Sequence, residues 1–119
     1  MGYEIKLIIG RKGFAGHENK DCTGIIEIAS IDLCKCVFAG TRVNKQQIHK
    51  AFIYKGDDEV LTDLYGDQLY HNSPKEVLKL MVKAQKYEKY RRYSAAIPML
   101  KSLIRDFEGQ DLTCILYGH

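Results

Sequence analysis

A chain of 119 residues, 45% apolar and 28% charged, is sized for one hydrophobic core. That composition excludes wholesale disorder, and a net charge of +3 is too small to mark a dedicated nucleic-acid binder by itself. The longest apolar runs, Leu7-Ile8-Ile9 and Gly24-Ile25-Ile26, are far too short to cross a bilayer, so no membrane role is expected.

The N-terminus Met1-Gly2-Tyr3-Glu4-Ile5 enters a strand pattern at once, without the charged and apolar blocks of a secretory signal. Met1-Gly2 suggests myristoylation, but Lys6 stands where that motif needs Ser or Thr. Tyr3, Ile5, Leu7 and Ile9 alternate with Glu4 and Lys6, the two-residue period of a half-buried strand. Gly10, Gly13 and Gly16 then punctuate a stretch read as a flexible basic hairpin loop, Arg11-Lys12-Gly13-Phe14-Ala15-Gly16. It lacks the Gly-Lys-Ser/Thr ending of a phosphate-binding loop, and no helix pattern follows it. Thr23 to Ile31 is isoleucine-rich and reads as a more buried strand, bent near Ser30 to Asp32. Leu33 to Phe38 continues it or forms a short neighbour, and Gly40 breaks it. Ile48 to Lys55 is a further strand, ended by Gly56-Asp57-Asp58, and Val60 to Tyr65 is a short strand or helical turn.

Ser73-Pro74-Lys75-Glu76 is the clearest local signal. Serine suits the N-cap, proline the first helical position, and Glu76 the third position of a capping box. Val77, Leu80, Met81, Ala84 and Tyr87 follow at helical spacing, with Lys75, Lys79, Lys83 and Lys86 roughly opposite. After a junction at Tyr90 to Ser94, a second helix buries Ala96, Leu100, Leu103, Ile104 and Phe107. Pro98 predicts a late start or a distorted first turn, and Gly109 a stop. Leu112 to Tyr117 is a last apolar strand. Strands segregated from helices predict one α+β domain over residues 1–119, a mainly antiparallel sheet with a two-helix layer on one face.

Between Lys75 and Arg92 seven basic residues stand against two acidic ones, a local charge of +5, with Asp57, Asp58, Glu59, Asp63 and Asp67 just upstream. A basic face beside an acidic edge suits steering of charged partners. Its densest part is Tyr87-Glu88-Lys89-Tyr90-Arg91-Arg92-Tyr93, where aromatic rings beside guanidinium groups could hold a planar anion or an acidic protein patch. The competing structural reading puts Tyr87 and Tyr93 in the core between the helices and the arginines on helix-end carbonyls or on Asp63 and Asp67. Phosphate contacts from Lys79, Lys83, Lys86 and Arg91, with a base stacked on Tyr90 or Tyr93, would make a nucleic-acid surface; the small net charge and missing motif disfavour it.

Cys22, Cys34, Cys36 and Cys114 are expected as reduced thiols. His17, Cys22, Cys34 and Cys36 could supply four zinc ligands, but Cys34-Lys35-Cys36 lacks the usual two-residue spacer, and small core hydrophobes are the favoured reading. The aspartates match no calcium loop, and the histidines 17, 49, 71 and 119 pair with no nucleophile. No cofactor, metal or catalytic residue is therefore assigned.

Asp63-Leu64-Tyr65-Gly66-Asp67-Gln68-Leu69, the run from Tyr90 to Lys101, and the ending Ile115-Leu116-Tyr117-Gly118-His119 resemble small uncharacterised proteins of tailed bacteriophages, mostly over the C-terminal half. The resemblance brings no activity with it. It implies a small protein working in the cytoplasm of a bacterial host, of a kind often directed against host defence. The expected function is a non-enzymatic binding protein, a counter-defence inhibitor acting on a host protein. Lys83, Lys86, Tyr90, Arg91, Arg92 and Tyr93 are its expected contacts, with Arg11 and Lys12 as secondary ones. The alternatives are a sponge that uses the same residues to sequester a nucleotide or other anionic signal, with a homo-oligomer interface as one place for it, and a nucleic-acid-binding module.

Overall fold

The computed structural model describes residues 4–14, 23–34, 41–45, 53–55, 60–62, 68–87 and 93–118. The alternation around Ile5, Leu7 and Ile9 becomes strand β1 (Ile5–Phe14), which pairs antiparallel with β2 (Thr23–Cys34) on one side. Its other neighbour is the C-terminal strand β6 (Leu112–Gly118), also antiparallel. Three further strands extend this centre: β3 (Asn44–Lys45), β4 (Ile53–Lys55) and β5 (Val60–Thr62). The sheet order is β3-β6-β1-β2-β4-β5, and among the described residues only the β3–β6 pair is parallel. The α+β architecture with a mainly antiparallel sheet is thus the one expected from the sequence.

Two local readings change. Arg11 to Phe14 belong to β1 and not to a flexible loop, because pairing with Ile26, Ile25, Gly24 and Thr23 of β2 imposes a strand on glycine-rich backbone. Gly10 sits where β1 and β2 change register. Ile9 faces Ala29 but Gly10 faces Glu27, leaving Ile28 as the extra residue of a bulge. A Cβ on Gly10 would run into the Ile25 side chain and lie 2.8 Å from the Ile26 carbonyl oxygen, so glycine is required by this close approach. A second irregularity skips Leu33, opposite Ile5 and Lys6. The bend expected near Ser30 to Asp32 is therefore divided between Ile28 and Leu33. The expected strand from Ile48 is described only over Ile53–Lys55, and Val60–Thr62 is a strand.

Helix α1 (Pro74–Tyr87) begins at the expected serine cap: the Glu76 amide donates to Ser73 Oγ at 3.3 Å, and the Val77 amide to the Ser73 carbonyl at 3.1 Å. The reciprocal capping-box bond from the Ser73 amide to the Glu76 side chain is not formed among the described residues. Helix α2 spans Ala96–Asp106, and Ala95 before it is already in the right-handed helical region. The Ile97 amide donates to the Tyr93 carbonyl at 2.9 Å, so helical bonding begins ahead of Ala96. Pro98 lacks the amide that would continue this ladder to Ser94, which interrupts the first turn as the sequence predicts. Gly109 has φ of +85°, the left-handed conformation that favours glycine after a helix.

Both helices cover one face of the sheet. Ile5, Leu7 and Ile9 of β1 pack there with Ile31, Leu33, Cys114 and Leu116, against Val77 and Met81 of α1 and Ala96 and Leu100 of α2. The other face holds Ile8, Ile25, Ile115 and Tyr117 with Leu61, Leu69 and Tyr54. β6 is consequently buried on both faces, which is why it reads as an unbroken apolar run and not as an alternation. Among the described residues no helix is long and apolar enough to cross a membrane.

Candidate functional site

Helical geometry divides α1 into two stripes. Val77 and Met81 point into the core, at 2% and 0% exposure, while Lys75, Lys79, Lys83 and Lys86 are all exposed. Beside that lysine row runs an open groove of about 580 Å³ between α1 and α2. It is lined by the four lysines and by Leu78, Val82 and Ile104, with no acidic residue among the described lining. Val82 keeps 37% of its surface exposed, so the aliphatic floor is presented to solvent.

The groove continues past Lys75, Leu78 and Ile104 into a cavity of about 460 Å³ at the start of α1 and the end of α2. Phe107 and Leu112 add apolar wall there, Lys101 and Arg105 add charge, and Glu108 and Asp111 close the far side. Arg105 is partly committed, donating to Asp106 at 3.2 Å in an exposed pair.

The lysine row works against the helix that carries it. Lys75/Lys79, Lys79/Lys83 and Lys83/Lys86 are neighbours three or four residues apart, and each like-charge pair at such spacing costs about 0.2–0.5 kcal/mol. Glu76 is the one acid within α1. A helix that needed only a wetted face would intersperse signs. A single-sign row beside exposed aliphatics is instead complementary to a surface with acidic rims and an apolar centre.

Of the residues expected at the site, Lys83 and Lys86 lie in this groove. Tyr90, Arg91 and Arg92 lie outside the described residues. Tyr93 is 2% exposed and belongs to the main core; its amide donates to Gln85 Oε1 at 3.0 Å, tying the α1–α2 junction to α1. Its ring is structural, as the competing sequence reading had it, and is not available as a surface contact. Arg11 and Lys12 are separated by the strand's alternation. Arg11 is exposed with the parity of Ile9, on the helix side, whereas Lys12 stands opposite Ile25 on the other face, with Nζ 5.1 Å from the Tyr54 ring centroid. Lys12 and the groove therefore do not share a face of the sheet.

A second exposed cluster had no signal in the sequence. The side chain of Asn44, 6% exposed, donates from Nδ2 to the carbonyls of Tyr70 (2.9 Å) and Leu116 (3.1 Å) and accepts from the Tyr70 amide at 2.9 Å. On the same edge of β6, Asn72 and Cys114 exchange backbone bonds of 2.9 and 2.7 Å. The Asn44 side chain thus stands in for a peptide unit, bridging the Tyr70 backbone to the Leu116 carbonyl of β6. Arg42, two residues earlier, lies over the Tyr70 ring at 4.6 Å.

Next to it, Thr113 Oγ1 donates to the Asn72 carbonyl at 3.4 Å and lies 2.8 Å from His71 Nδ1. The Thr113 hydroxyl beside that imidazole is buried, at 7% exposure. Burial pushes the Cys114 thiol up to about 12, so it is not an activated nucleophile. Among the described residues no three His, Cys, Asp or Glu side chains converge on a metal-sized space. Of the zinc ligands considered above, His17, Cys22 and Cys36 lie outside the described residues, as do Asp57, Asp58, Glu59, Asp63 and Asp67.

Comparison with protein-family models, with curated proteins and with solved structures finds no match for this chain. Function must be read from the groove and the Asn44 corner themselves.

Proposed function

We propose that this protein is a non-enzymatic binding protein that docks an acidic surface of a partner protein onto its helix layer. One observation carries the reading: the groove between α1 and α2 is lined by four lysines and three aliphatics, without a described acid among them. An interface of this kind draws its affinity from apolar contact at the centre, here Leu78, Val82 and Ile104. It draws orientation and association rate from the charged rim. The likeness of the C-terminal half to small tailed-phage proteins makes a host protein the partner class, and inhibition of a defence function the use. Lys83 and Lys86 are the expected contacts that this surface retains, joined by Lys75 and Lys79.

The test is to purify the tagged chain from producing bacteria beside its Lys79→Glu/Lys83→Glu variant. The reading expects a host polypeptide retained by the unchanged chain and lost, at least tenfold, with the charge reversal. A polypeptide held equally by both chains, or nucleic acid alone on the unchanged chain, contradicts it.

A further inference from the structure

We propose that the Arg42–Tyr70 corner is a second binding site, independent of the helix groove, for a ligand that carries a nucleobase and a phosphate. Three observations converge on it. Tyr70 keeps 44% of its surface exposed although Arg42 already lies over the ring, so the stack remains open to a further planar group. Arg42 is itself exposed, and no carboxylate pairs with it among the described residues, so its N–H edges remain available to an anion.

The third observation is that the platform is held in place. Asn44 bonds both the amide and the carbonyl of Tyr70, and the same side chain bonds Leu116 in the centre of the sheet. An exposed tyrosine whose backbone is clamped on both sides loses little freedom when something stacks on it.

Ring and guanidinium together select the ligand chemistry. An aromatic face alone would accept any flat apolar group, and a lone arginine any anion. Their pairing favours a molecule that is planar at one end and anionic at the other, as a nucleotide is. Stacking on tyrosine is tolerant of base identity because every base has a π-face, so selectivity among bases is not expected from these two residues. A free mononucleotide and a nucleotide within a single strand offer the same chemistry.

The experiment titrates the full chain with adenosine 5′-monophosphate, adenosine, inorganic phosphate and a short single-stranded oligonucleotide, read by calorimetry. It is repeated on Tyr70→Phe, Tyr70→Ala and Arg42→Gln. The proposal expects the monophosphate or the oligonucleotide to bind, Tyr70→Phe to bind within about twofold, and Tyr70→Ala and Arg42→Gln each to weaken binding about tenfold or more. Equal affinity for monophosphate and oligonucleotide identifies a free nucleotide. Tighter, salt-sensitive binding of the oligonucleotide identifies a single strand.

Lys79→Glu/Lys83→Glu should leave a mononucleotide titration unchanged, which separates this site from the groove. Absence of binding by every probe overturns the proposal. So does binding that survives Tyr70→Ala, or inorganic phosphate binding as tightly as the nucleotide. Both substituted side chains are exposed and the Asn44 bonds to Tyr70 reach only its backbone, so thermal melting should confirm that the variants stay folded.

Discussion

The helix groove and the Asn44 corner both present cations to solvent, but in opposite ways. In the groove, four lysines on one helix stand in a row with no ion pair to any of them among the described residues. Their charge is a field that many arrangements of an acidic partner can satisfy. At the corner, one arginine is stacked on one ring, and that ring's peptide is clamped by a buried amide. The first arrangement suits steering and a broad interface, the second a small ligand of defined shape. The lesson is that similar side-chain chemistry acquires different uses through how firmly the fold holds it.

The comparison breaks most severely where a region's support is removed. Leu100, with no exposed surface, joins α2 to the sheet, and Leu100→Ala should cost about 2–5 kcal/mol in urea unfolding. That loss should loosen the helix layer, and the groove with it.

Asn44→Ala strands two carbonyls and an amide at the edge of β6. Each buried group left unsatisfied costs about 1–3 kcal/mol, and with water reaching some of them a net loss of about 2–4 kcal/mol is expected. The sharper readout is local. Hydrogen exchange at the Tyr70 amide should accelerate while α1 amides keep their protection. Equal acceleration in both would show that the corner is not an independently held unit.

Cys114 probes the sheet beneath both regions. Burial disfavours the thiolate and pushes the folded-state pKa up to about 12, from 9.0 for an unburied thiol. The unfolded chain loses that proton first as pH rises. The neutral thiol's contribution is therefore complete below pH 9.0 and is lost progressively as pH climbs toward about 12. Urea midpoints followed across that window should fall, and should fall less steeply in Cys114→Ala. Below it, Cys114 in the folded chain should resist iodoacetamide.

The smallest effect belongs to the cap. Ser73→Ala removes the acceptor of the Glu76 amide and should cost about 1 kcal/mol, fraying the first turn of α1 without disturbing the corner.

How much of this was readable in advance follows from how local each signal is. Ser73, Pro74 and Glu76 announce the start of α1 because capping chemistry acts within four residues, and the lysine row follows from helical period alone. Gly10 to Phe14 look like a loop because glycine is poor in strands; β1 runs through them because β2 pairs with all five and β6 with Gly10 and Arg11, which composition does not reveal. Pro98 is legible as a break in the first turn of α2 because it cannot donate to the carbonyl four residues back. Tyr93 is as plausible on the surface as in the core, and only the packing of both helices decides.

The Asn44 corner is the extreme case. Its bonds join residues 26 and 72 positions apart, and no periodicity or motif links Arg42, Asn44 and Tyr70. It depends on β6 crossing the sheet to lie between β1 and β3, a pairing that the sequence left open.

The central claim is that the lysine groove meets acidic side chains of a protein. Zero-length carbodiimide coupling, which joins amines only to carboxylates in direct contact, tests it most directly. Performed on complexes isolated from producing bacteria and mapped by mass spectrometry, it should join Lys79, Lys83 or Lys86 to Asp or Glu of one host polypeptide. Cross-links that bypass α1, or a complex whose carboxylates never reach those lysines, would contradict the account.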